Sequence, residues 1–132
     1  VVIHLTIGWL FLLLLVDLGT ILGKIQEWRR AGPLLLLATM LSAIPSVITG
    51  FMREDHVTGF FKQQLVGLHQ NVMLAMVGAC VLAFIVRVRS RNQLAGGVAV
   101  VYMLLIVTAA FLCLIGGHLG AKMVYGPNYL PF

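Results

Sequence analysis

The sequence predicts an all-α, polytopic membrane protein, a bundle of four transmembrane helices running up, down, up and down. Three observations predict it. Of the 132 residues, 61% are hydrophobic and only 10% charged, and the mean hydropathy of +1.04 lies outside the range of soluble domains. Four apolar stretches, residues 3–22, 33–51, 65–86 and 97–115, each supply the roughly 20 residues a helix needs to cross about 30 Å of hydrocarbon. Short or moderate connections join them, which favours antiparallel neighbours in one four-helix transmembrane domain over residues 1–132. Helices are expected because hydrocarbon offers no partner to a backbone N–H or C=O.

The first stretch is too long for a signal peptide and lacks a basic flank and a small-residue cleavage pattern, so it is read as the first helix. The chain begins at Val1 without an initiator Met, and residues upstream of it are expected. Asp17 is an acid inside this helix; a neighbour such as Thr39 or a loop arginine is its expected partner, with proton relay or closure of a quinone pocket as the functional alternative. The second helix carries Ala38, Ser42, Ser46 and Gly50 at four-residue spacing, a stripe that lets a backbone or a flat cofactor approach. Pro45 is expected to kink it. Met73 and Met76 follow His69 along one face of the third helix, and the fourth ends in Gly116, Gly117 and His118. Cys80 and Cys113 fall in apolar segments without metal or covalent-haem spacing and are read as packing residues.

Charge sets the expected orientation. Lys24, Arg29 and Arg30 follow the first helix, with Glu27, and Arg87, Arg89 and Arg91 follow the third. The opposite face has Arg53, Lys62 and Lys122, offset by Glu54 and Asp55. Short basic loops stay in the cytoplasm. A bacterial inner membrane location with both termini periplasmic is therefore expected. Nucleic acid is not an expected partner, since no basic stripe with interleaved aromatics is present.

That topology brings all four histidines to one face: His4 opens the first helix, His56 lies in the loop after the second, His69 stands about one turn into the third, and His118 closes the fourth. Intramembrane ionisable residues are functional candidates, and neutral imidazole is the commonest metal ligand. Haem iron takes axial ligands on opposite faces of a flat ring, for which small residues leave room. Gly8 lies one turn below His4, and Gly116, Gly117 and Gly120 surround His118. The metal candidates are thus His4, His69 and His118. A zinc site lacks carboxylate or cysteine partners at this depth, and an acid-base site has only Glu54 and Asp55 beside His56.

These residues also carry a resemblance. VIHLTIGWLFLLLLVDLG resembles the opening pattern VHFPIALLLLALLLDLLG of a family of small four-helix bacterial membrane proteins, domain-of-unknown-function family 2231. GGHLGAKMVYGPNYL is similar to its closing GGxLGGxLVYxHGxGV, and HQNVML to its HALLNL segment. The likeness spans essentially the whole chain. By it His4, Asp17, His69, Gly116, Gly117 and Tyr125 match the family's motif positions; Thr6 replaces its proline, Pro127 and Asn128 its glycine-rich end, and its upstream His-Pro is absent. The resemblance implies the four-helix architecture and a likeness to b-type cytochromes.

The expected function is a b-type cytochrome subunit that transfers electrons near the periplasmic face within a larger redox complex, exchanging them with a periplasmic cytochrome c or a quinol. It holds one haem b, or two. His4 and His69, on diagonal helices, are the first axial pair; His118 is the alternative ligand, or partners a second haem with His56. Gly8 and Gly117 make room for the ring, and Arg53, Lys62 or Lys122 pair with propionates. Two other classes fit the same sequence: a non-redox structural or assembly subunit, and a pigment-binding subunit whose histidines ligate magnesium.

Overall fold

The structure, a computed structural model, describes residues 2–54 and 60–126, with side chains described outside residues 2–3, 26, 53–54 and 60–62. Four helices follow in order: α1 (Val2–Ile21), α2 (Ala31–Glu54), α3 (Phe60–Arg89) and α4 (Gly96–Tyr125), with a 3-10 turn at Gln26–Arg30 ahead of α2. All four are long and apolar enough to cross a membrane. No strand occurs among the described residues. His56 lies outside them, as do the side chains of Arg53 and Lys62.

The helices form a ring in which α1 packs tightly on α2 and α3 on α4, two hairpins meeting along sparser seams; α1 and α3 stand diagonally, as do α2 and α4. Each inward face is a stripe at alternating spacings of three and four residues. On α3 it runs through His69, Met73, Met76, Cys80, Ala83 and Arg87, and on α4 through Tyr102, Ile106, Ala109, Cys113 and Gly116. That repeat is the seam of helices crossing at small angles. Leu10, Leu13, Leu36, Met76 and Ile106 are fully or almost fully buried at its centre. In lipid the outer faces are equally apolar, so helix association depends on close packing and interhelical hydrogen bonds. Thr6 Oγ1 supplies one such bond, donating to Ser42 Oγ across 3.1 Å.

Sequence and structure differ at His118, at His69 and at Arg87. α4 continues through Gly116, Gly117 and His118 to Tyr125, so His118 lies inside the helix and does not close it. Breaking the helix there would expose carbonyls, and Gly116 has a packing reason to be small. α3 begins at Phe60, which puts His69 more than two turns in. Arg87, counted with the loop cations, is a helical residue only 3% exposed. α2 runs unbroken through Pro45.

Candidate functional site

At the end of the bundle that holds the N-terminus of α1 and the C-terminus of α4, a cleft of about 110 Å³ opens between the hairpins. Thr6 on α1, Ser46 and Gly50 on α2, His69 and Met73 on α3 and Gly117 on α4 are among its walls. The small stripe on α2 therefore serves two purposes: Ser42 meets α1, and Ser46 and Gly50 leave the cleft open.

His69 heads the inward stripe of α3, and its Nδ1 lies 2.9 Å from the carbonyl oxygen of Gly116. A carbonyl only accepts, so Nδ1 carries the proton and donates. Neutral imidazole then has its lone pair on Nε2. A hydrogen bond from the remote ring nitrogen to a backbone carbonyl orients histidine ligands and raises their basicity. Gly116 lets α3 pack close to α4 beside this bond. A Cβ on Gly116 would collide with Met73 Sδ, and one on Gly120 would meet His69 Cε1 at 3.6 Å. Gly116 thus admits Met73, a Cβ at Gly120 would make only ordinary contact with His69, and Gly117 has open space and faces the cleft.

The structure brings His69 and Gly117 to one cleft, and the other described candidates do not line it. His4 is exposed, and Thr6, two residues on and so about 200° around the helix, takes the inward position. His118 is half-buried and outside the cleft lining, Gly8 is exposed, and Lys122 is half-buried in the last turn of α4. No group of three or more His, Cys, Asp or Glu side chains with metal-binding proximity occurs among the described residues.

For a b-type haem, the donor chemistry fits at His69: fixed tautomer, available lone pair and a glycine opposite. The space is smaller than the ring. Sites for small molecules typically enclose about 300–1,000 Å³, so a macrocycle enters this cleft only if the sparse seam between α2 and α3 widens.

A second polar cluster lies at the opposite end of the bundle. Arg87 Nη1 donates to Asp17 Oδ2 at 2.6 Å and to the Tyr102 hydroxyl at 2.6 Å. Tyr102 donates to the same carboxylate oxygen at 2.5 Å, and the guanidinium lies 5.0 Å from the centroid of the Tyr102 ring. Gly32 brings α2 to the pair, since any Cβ there would strike Arg87 Nη2 and Asp17 Oδ1. Asp17 Oδ1 is buried without a hydrogen-bond partner. A loop-side arginine is therefore the partner of Asp17. Thr39 instead donates to Leu35 O. Tyr102 was not among the sequence candidates, although a phenol in the middle of an apolar run needs a polar partner and was a readable signal.

Four apolar antiparallel helices, a histidine-lined cleft at one end and a buried ion pair at the other define a small polytopic membrane protein with polar groups set in its core. The chain matches the family described as predicted membrane protein (DUF2231) over residues 1–128, and belongs to it. No curated protein and no solved structure gives a significant match.

Proposed function

We propose that the protein is a membrane-embedded electron-transfer subunit holding haem b at the cleft, with His69 as its anchoring ligand. The bond from His69 Nδ1 to the Gly116 carbonyl carries this reading, because it presents Nε2 as a ligand on the wall of a cleft. Gly117 leaves room on α4, and Lys122 supplies a cation at that end for carboxylates; Arg53 and Lys62, whose side chains lie outside the described residues, remain further candidates for that pairing. Haem, when bound, cycles between ferrous and ferric iron; the protein's part is to hold, orient and desolvate it. His4 and His118, on the helices beside His69's end of the bundle but outside the cleft lining, are the candidates that would hold the haem together with His69.

A single haem at one end does not carry electrons across the bilayer, so the subunit serves as an entry or exit point in a larger assembly. A periplasmic cytochrome c or a quinol is the partner in this reading, with the termini outside the bacterial inner membrane and the arginine-rich connections in the cytoplasm. The test is a reduced-minus-oxidised spectrum of the purified protein. A b-type band lost in His69→Ala supports the reading, and comparing His4→Ala with His118→Ala assigns the second ligand. A colourless protein that yields no haem to pyridine extraction rules it out.

The modest volume of the cleft favours a second reading, a non-redox subunit whose helices brace a complex. It predicts a colourless protein whose histidine variants remain assembled.

A further inference from the structure

The end of the bundle away from the histidines holds a separate cavity of about 210 Å³, between the last turns of α1 and α3, the 3-10 turn and the start of α4. Its polar walls are Thr20, Arg29, Arg87 and Asn92, and Ala95, just ahead of α4, closes one side. No acid lines it. Two arginines therefore line one small space. The charge of Arg87 is matched by Asp17 at 2.6 Å, whereas Arg29 Nη2 donates only to the uncharged carbonyl of Asn92, at 3.0 Å. Among the described residues no carboxylate pairs with Arg29, which leaves one positive charge at the cavity unmatched.

Asn92 adds a donor, whereas the Thr20 hydroxyl gives its proton to Val16 O at 2.8 Å. Arg87 Nε donates to Asn92 Oδ1 at 2.8 Å, which occupies the acceptor of that amide and leaves its nitrogen to donate. α4 starts at Gly96 with no side-chain cap from Ala95, so its first N–H groups add positive potential beside the cavity. The space equals about seven waters at roughly 30 Å³ each, enough for a phosphate group with residual water. Exposed Trp28 marks this level as a membrane interface, where basic pockets between transmembrane helices take phospholipid headgroups.

We propose that this cavity binds a phosphate group through Arg29 and Arg87, presented by an anionic phospholipid or by free phosphate. The assignment is independent of the haem reading. It is tested on the purified full chain in detergent, by native mass spectrometry with phosphatidylglycerol against phosphatidylcholine, and by thermal shift with inorganic phosphate against chloride at equal ionic strength. Retention of phosphatidylglycerol alone identifies the lipid; stabilisation by phosphate as well identifies the free anion as a ligand. Arg29→Gln, and independently Ala95→Asp at an exposed position, should weaken the effect at least tenfold. Arg89→Gln, which removes an exposed cation outside the cavity, should leave it unchanged. Equal weakening by Arg29→Gln and Arg89→Gln, or no binding of either probe, overturns the proposal.

Discussion

Asp17 has no solvent exposure, and the guanidinium that neutralises it comes from a residue 70 positions along the chain. Burying both charges is costly, and their attraction offsets that cost only because the geometry is close and Tyr102 adds a third partner. The pair is thus more dangerous to break than valuable to possess. Asp17→Asn leaves Arg87 charged in the core and should destabilise the protein by about 3–5 kcal/mol. The double variant Asp17→Leu with Arg87→Met should recover most of that loss. Thermal unfolding in detergent of Asp17→Leu, Arg87→Met and the double variant checks this as a cycle. Additive losses would show that the two side chains are not coupled.

At the scale of elements, the ends of α1 and α3 use one motif with different residues. Lys24 N–H bonds Gly19 O at 2.9 Å and Gly23 N–H bonds Thr20 O at 3.0 Å, with Gly23 at φ 73°. After α3, Asn92 N–H bonds Arg87 O at 2.9 Å and Arg91 N–H bonds Val88 O at 3.1 Å, with Arg91 at φ 50°. Both are Schellman ends, but arginine in the left-handed position carries a Cβ penalty of roughly 1–2 kcal/mol that glycine avoids. Arg91→Gly should therefore raise the melting temperature, and Gly23→Ala should lower it, in parallel melts of the three proteins. The same elements show what could be read in advance. Run length alone reveals four helices, because only a span of that length crosses hydrocarbon. It does not reveal which face turns inward, since lipid leaves both faces apolar; small and polar residues such as Thr6, Thr39, Ala83 and Arg87 mark the core instead. The end of the bundle that holds His4 and His69 is legible, but the depth of His69 within α3 and the direction of each histidine around its helix are not. The apparent end of the fourth helix at Gly116 and Gly117 misleads for a related reason: Gly116 is small to admit Met73.

For the whole molecule, the two ends differ in chemistry, and that difference predicts how it sits in a bilayer. α4, at 30 residues, is about 45 Å long and exceeds a hydrocarbon core of about 30 Å, so its ends reach both interfaces. His69 and Arg87 are separated along α3 by about 27 Å, which puts the cleft and the ion pair at opposite membrane surfaces. Lys24, Arg30, Arg89 and Arg91 are exposed at the ion-pair end, and translocating them outward opposes the bias that holds short basic loops in the cytoplasm. Arg87 does not contribute to that bias as a free charge, being paired inside the bundle. Cys80 and Cys113 are both buried, so an added surface cysteine can be read against a quiet background. Gln93→Cys, in the exposed connection between α3 and α4, should resist a membrane-impermeant maleimide in intact bacterial spheroplasts and react after permeabilisation. A cysteine at Tyr125, exposed at the end of α4, should react in both. Labelling of Gln93→Cys in intact cells would invert the orientation, carrying the cleft to the cytoplasm and removing any periplasmic electron partner from consideration.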